Sequence, residues 1–139
     1  MKVEEIDHIA IFVRDLEKAS KFFADLLGTE FSQTFVQEKF AFKNSLEPLG
    51  IEVVEPTSPD GFVAKTIERS GEGVGLIGLK VPNLEEAITE MKGRGIRLVS
   101  RIEQGQLKTA QFHPGDTYGV MIELLQYKVE HPIAIAMSK

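Results

Sequence analysis

Ile51-Glu52-Val53-Val54-Glu55 and Ile122-Glu123-Leu124-Leu125-Gln126 are two versions of one short segment. Each sets a glutamate between branched apolar residues. Side chains alternate along an extended chain, so Ile51 and Val53 face one way and Glu52 the other. Ile122 and Leu124 repeat that arrangement around Glu123. The pair predicts two strands, each with one covered face and a carboxylate on the opposite face.

Working outward, the likeness extends to whole halves of the chain. Val13, Leu16, Glu17 and Ala19 recur as Val81, Leu84, Glu85 and Ala87 at one constant offset, and Phe42 recurs as Phe112 at a slightly larger one. An internal repeat of this kind constrains the fold before any element is assigned. In the first half, residues 6–13 read as a strand, with Ile9, Ile11 and Val13 on one face and His8, Ala10 and Phe12 on the other. Asp15 is a helix cap. Leu16, Ala19, Phe22, Phe23, Leu26 and Leu27 follow at helical spacing, and Gly28 stops the helix. Strands are predicted at about 29–35, 38–43 and 50–55, with a turn at 44–49. A turn-rich connector at 56–61 leads to a short helix over 62–70. The second half restarts with a strand at 74–81. Asn83 and Glu86 then resemble a capping box. Leu84, Ala87, Ile88 and Met91 stripe the next helix, and strands follow at about 97–102, 107–113 and 120–127.

The resulting fold class is α+β: a single domain of two tandem β-α-β-β-β modules, about 5–56 and 73–127, with a connector at 57–72 and a tail at 128–139. A helix covers one sheet face of each module. The two uncovered faces, joined side by side, are expected to form one cleft. Ile133, Ile135 and Met137 in the tail suit an edge strand or a packing surface, and with an exposed sheet edge they lead to the expectation of a homodimer.

Composition narrows the partners. The chain has 139 residues, 42% hydrophobic and 27% charged, with a formal net charge of -5. That balance, without a basic stripe, speaks against nucleic acid. No apolar run approaches the roughly 20 residues that span a bilayer, so no membrane partner is expected. There is no cysteine, which excludes disulfides and thiolate metal sites. The first residues, Met1-Lys2-Val3-Glu4-Glu5, lack the apolar stretch of a secretory signal, and a cytoplasmic location is expected.

Strand parity points Glu52, Glu123 and His8 into the cleft. The repeat partner of His8 is Leu76, so the fourth corner is apolar. One imidazole and two carboxylates at matched positions suit either acid–base work or a divalent ion such as cobalt, zinc, manganese, iron, nickel or magnesium. Phe40 and Phe42, read as sharing one strand face, are candidate cleft-lining residues. Glu38 is a weaker acid–base candidate. His113, in Phe112-His113-Pro114-Gly115-Asp116, reads either as cleft-lining or as a turn histidine bonded to backbone.

Three stretches carry a resemblance: Asp7-His8-Ile9-Ala10; Ile51-Glu52-Val53-Val54-Glu55-Pro56-Thr57-Ser58-Pro59-Asp60; and Phe112-His113-Pro114 followed by Gly119-Val120-Met121-Ile122-Glu123-Leu124. Over about residues 5–127 the chain resembles the vicinal-oxygen-chelate (glyoxalase/bleomycin-resistance/dioxygenase) superfamily, and within it the methylmalonyl-CoA epimerases. The resemblance implies the paired-module fold and places His8, Glu52 and Glu123 at metal-ligand positions. The family's remaining ligand is a histidine in the strand after the connector; here Gly75 and Leu76 stand in that place.

Two functions follow as expectations. The first is a metal-dependent isomerase or lyase, epimerase-like or glyoxalase-like. It would abstract a proton alpha to a carbonyl or thioester, with Glu123 as the catalytic base and a small-molecule substrate such as an acyl-CoA. The alternative is a metal-free small-molecule-binding protein of the same fold, bleomycin-resistance-like, favoured by the apolar Leu76.

Overall fold

A computed structural model of the chain describes residues 1–128; the tail residues Ile133, Ile135 and Met137 lie outside the described residues. The described residues form eight strands and three α-helices. In chain order these are β1 (Glu5–Phe12), α1 (Leu16–Leu27), β2 (Phe35–Gln37), β3 (Phe42–Leu46), β4 (Ile51–Pro56), α2 (Phe62–Ser70), β5 (Gly73–Lys80), α3 (Leu84–Gly93), β6 (Leu98–Gln104), β7 (Leu107–Phe112) and β8 (Met121–Gln126). The order is the twice-repeated β-α-β-β-β read from the sequence, with α2 as the inserted helix.

The chain divides into two compact units. One is residues 10–75. In it β2 pairs with β3 and β3 with β4, both antiparallel. The end of β1 joins β4 through Val13 N–H donating to the Val54 carbonyl at 2.8 Å. Val13, Leu16 and Val53 form its core on the helix side, with Ile11, Phe23 and Ile51 packed against them. Glu52 therefore points away from α1, as its parity requires. The other end of that open face is capped by α2, whose Phe62 ring meets Phe12 and Phe42 edge-on at 5.7 and 6.2 Å.

The second unit holds residues 1–9 together with the chain from 76 onward. Here β5 pairs parallel with β8, β8 antiparallel with β7, and β7 antiparallel with β6. The approach to β1 lies beside β5, where Glu4 N–H donates to the Lys80 carbonyl at 2.8 Å. Leu84, Ala87, Ile88 and Met91 of α3 pack on Ala110, Phe112 and Leu124. Both helices start at the side chains the sequence nominated. Asp15 accepts from Lys18 N–H at 3.0 Å, and Asn83 accepts from Glu86 N–H at 3.1 Å. A second bond seals each start: Glu55 Oε1 accepts from Leu16 N–H and Gln126 Oε1 from Leu84 N–H, both at 2.8 Å.

Three boundaries differ from the expectation. Residues 38–43 are not one strand. Glu38–Phe40 is a turn of 3-10 helix, closed by Ala41 in the left-handed region at φ 57°, and β3 begins only at Phe42. Phe40 and Phe42 thus do not share a strand face, although their rings stack at 6.4 Å. The strand expected at 29–35 is reduced to the short β2, which begins at Phe35. The turn expected at 44–49 starts later, because Asn44, Ser45 and Leu46 pair with β4. Glu47 tightens that turn. Its fully buried carboxylate accepts from Leu49 N–H at 3.0 Å and Ile51 N–H at 2.6 Å.

Candidate active site

The unit containing β5–β8 brings His8 and Glu123 together. Both lie on the face opposite α3, since Glu123 pairs with Gly78 and its neighbours Ile122 and Leu124 face the helix. His8 Nε2 sits 3.1 Å from Glu123 Oε1. The other Glu123 oxygen accepts from Gln111 Nε2 at 2.6 Å. Gln111 is anchored in turn by Ser100 Oγ, which donates to its Oε1 at 2.6 Å, and by its own bond to Thr109 Oγ1 at 2.9 Å. The carboxylate is thus aimed by a chain of neutral donors.

The far side of the imidazole is equally constrained. His8 Nδ1 lies 2.8 Å from Asp7 Oδ1, and Tyr127 Oη donates to Asp7 Oδ2 at 2.5 Å. Asp7, His8 and Tyr127 are 4%, 9% and 7% exposed. Burial, then the bond to Asp7, push the Tyr127 phenol well above the ordinary tyrosine range, so it keeps its proton. Lys80 Nζ lies over the Tyr127 ring at 4.4 Å, a cation–π contact. Beneath the imidazole is Gly78: a Cβ there would lie 2.4 Å from His8 Cε1. Only glycine lets the ring rest on β5 at this point.

The other sequence-nominated residues are placed as follows. Glu52, in the unit of residues 10–75, accepts from Asn44 Nδ2 at 2.7 Å. Leu76 is buried and pairs with Met121, two residues along β5 from Gly78 and hence on the face of Glu123. Phe40 and Phe42 belong to the Glu52 unit. His113 takes the turn-histidine position: its Nδ1 accepts from Gly115 N–H at 2.9 Å. Beside it, Arg97 grips Asp116 through both carboxylate oxygens and holds that carboxyl at about 2. Asp7, Tyr127, Gln111 and Gly78 were not singled out from the sequence. Asp7 stood next to His8 in the quoted motif, and parity would have put it on the wrong face. A cavity of about 340 Å³ lies on the α1 side of β3 and β4, lined by residues including Ser20, Ser45, Lys43 and Glu55. Two of its charged groups are paired, Glu55 with Lys43 at 3.2 Å, and Glu55 also accepts from Leu16 N–H.

His8 and Glu123 fit two positions of a divalent-ion site. A metal-bound imidazole ordinarily gives its second nitrogen to a carboxylate, as His8 does to Asp7. Adjacent ligands of an octahedral ion on bonds of about 2.1 Å sit about 3 Å apart, close to the observed Nε2–Oε1 distance, although among the described residues no group of three or more such ligands is gathered. Leu76 on the same face brings no donor.

Comparison with known proteins agrees with this architecture. The chain is 28% identical over 132 residues to the mitochondrial methylmalonyl-CoA epimerase of Mus musculus, covering 90% of this chain and 74% of that one. A methylmalonyl-CoA epimerase solved with methylmalonyl-CoA and NH4+ superposes with a TM-score of 0.82 at 26% identity, covering 94% of this chain and all of that one (100%). A variant of the Streptomyces coelicolor methylmalonyl-CoA epimerase, in complex with 2-nitronate-propionyl-CoA, gives a TM-score of 0.80 at 24% identity over 92% of this chain and 100% of that chain, a likeness of fold. Residues 7–113 match the family model described as the glyoxalase/bleomycin resistance protein/dioxygenase superfamily, and the chain belongs to that superfamily.

Proposed function

We propose that this chain is an epimerase-like isomerase that exchanges the proton alpha to a thioester or carbonyl, with a 2-substituted acyl-CoA as the substrate class. The observation that carries the reading is the His8–Glu123 pair. An imidazole and a carboxylate 3.1 Å apart share one proton position, and each is oriented from behind, by Asp7 and by Gln111. Glu123 is the base that removes the alpha proton; His8 receives or returns a proton at Nε2. The Gln111 bond limits rotation of the carboxylate, so the proton is taken from a fixed direction. The substrate class is supported by the epimerases that this chain resembles in sequence and fold.

In a metal-bound form His8 Nε2 and Glu123 Oε1 would instead hold a divalent ion, which would supply Lewis-acid polarisation of the substrate oxygen, and Nε2 would then carry no proton. The resemblance assigns Glu52 to the same ligand set, and Glu52→Gln tests that assignment through the metal-induced rise in melting temperature. The deciding experiment is deuterium uptake at the alpha carbon of methylmalonyl-CoA and other 2-substituted acyl-CoAs in D2O, with chelator or with added cobalt. Uptake by wild type that falls at least 100-fold in Glu123→Gln supports the reading. No uptake from any thioester under either condition overturns it. A second reading, a metal-free binder of small apolar molecules, is favoured by Leu76 in place of a ligand. Tight binding of such a molecule in chelator without exchange would establish it.

A further inference from the structure

We propose that the cavity on the α1 side of β3 and β4 is a binding site for a small neutral polyhydroxy molecule of monosaccharide size. The cavity measures about 340 Å³, at the small end of ligand pockets. It lies within the unit of residues 10–75, and Glu52 points away from it, so the proposal does not rest on the epimerase reading. The internal repeat shows that the space is particular to this half. Ser20 of α1 stands where Ile88 stands in α3, at the offset that relates Leu16 to Leu84. Ile88 is 4% exposed and belongs to the packed core of its unit. In the first unit the smaller serine lines the cavity instead, and its Oγ is shielded from solvent with no hydrogen-bond partner among the described residues. A buried hydroxyl left unpaired is costly. One on a single rotatable bond can turn to meet a ligand in the space it borders.

The wall chemistry selects the ligand. Lys43 of β3 stands opposite Glu55 of β4 in the ladder, and Lys43 Nζ lies 3.2 Å from Glu55 Oε2. The other carboxylate oxygen, Oε1, is held by Leu16 N–H at 2.8 Å. An acceptor and a donor of opposite charge therefore stand side by side. Adjacent hydroxyls of a diol complement that pair: one donates to Oε2 while its neighbour accepts from Nζ. A free anion here would meet Glu55, with Asp15 and Glu17 adding carboxylates at the rim. A free cation would have to displace Lys43 from the carboxylate it already neutralises. A neutral hydroxylated molecule meets neither obstacle. Phe31 supplies an apolar wall for the carbon face of such a ring.

The test is a 1H–15N NMR titration of the full chain in chelator. Glucose, myo-inositol and glycerol serve as neutral probes, and acetate and methylammonium as charged ones. A neutral ring probe should bind saturably, with Kd on the order of 1 mM or tighter. It should shift the amides of Leu16, Ser20, Lys43 and Glu55 and leave those around Glu123 in place. Ser20→Ile installs the side chain that the second half uses and fills the space; it should fold and weaken that binding by about tenfold or more. Lys43→Met keeps the stem and removes the ammonium, and should weaken binding about tenfold. Shifts that stay linear up to about 100 mM for every neutral probe overturn the proposal. Saturation by acetate or methylammonium alone overturns the ligand class. Binding that survives Ser20→Ile overturns the site. Should Ser20→Ile fail to fold, Ser20→Ala keeps the space and removes only the hydroxyl, and an unchanged Kd in both Ser20→Ala and Lys43→Met overturns the proposal equally.

Discussion

Helix α3 buries Leu84, Ala87, Ile88 and Met91, whereas α1, written from the same template, buries only Leu16 and leaves Phe22 and Leu26 59% and 65% exposed. Their beginnings are near copies. Each has a short polar cap, Asp15 or Asn83, and each has its first amide taken by a side chain from the end of a later strand, Glu55 or Gln126. The two halves share the devices that say where a helix starts and differ in how much of the helix is covered. Capping is a matter of one or two hydrogen bonds and survives as long as one oxygen remains. A packed stripe needs several matched residues and drifts more readily.

That contrast can be broken most directly at the helices. Met91→Ala should cost about 2–5 kcal/mol in urea unfolding, and Leu26→Ala at most about 0.5 kcal/mol. A large loss in Leu26→Ala would mean that the outer side of α1 is covered in solution, and the contrast would vanish.

Next come two glycines of β5, each overlain by a ring from β1. A Cβ on Gly75 would lie 2.3 Å from Phe12 Cε2, and one on Gly78 would lie 2.4 Å from His8 Cε1. Crowding of this kind costs about 1–3 kcal/mol. Gly75→Ala should show only that loss. Gly78→Ala should show it together with a fall in proton exchange of about tenfold or more, because the displaced ring is His8. Equal exchange rates in the two variants would sever the link between Gly78 and the chemistry.

The cap comparison is finer. Glu55→Ala and Gln126→Ala should each destabilise by about 1 kcal/mol in thermal or urea melts. Glu55 also pairs with Lys43 at 3.2 Å, so its loss should shrink with added salt while that of Gln126→Ala does not. The smallest effect is expected at Asp116, which lies at the surface, partly covered, and is held at about 2 by Arg97, below its ordinary 3.8. A depressed carboxyl stabilises the fold above its unfolded value, and that contribution disappears as the pH falls from about 4 toward 2. Asp116→Asn should therefore flatten the stability profile only in that acid window. A changed slope near neutrality would contradict the assignment.

Much of the fold was legible because the repeat doubled each signal. The α1 and α3 starts, the parity of Glu52 and Glu123, and the α2 insertion all follow from alternation, helical spacing and cap residues. The stretch around Glu38–Gly50 was not legible. A left-handed Ala41 has no sequence mark, and Glu47 acts as a turn residue through a buried carboxylate, a role ordinarily filled by Asp or Asn. At the site, His8 and Glu123 were reached by parity. Asp7 and Tyr127 were not, because their meeting depends on a side chain folding back along its own strand and on a residue just past the end of another. Gly78 gave a visible signal, a glycine inside a strand, and close approach of a neighbour is one of the things such a glycine marks.

The make-up of the two units has a consequence for the order of events as the chain emerges during synthesis. Residues 10–75 are grouped in one unit and are made early. The first nine residues belong instead with the chain from 76 onward. His8, the first of the contacting residues to be synthesised, waits for Gly78, then Gln111, Glu123 and Tyr127 before its surroundings exist. Contacts that span most of the sequence form late and slowly, so the contact between His8 and Glu123 is made only when nearly the whole described chain is present.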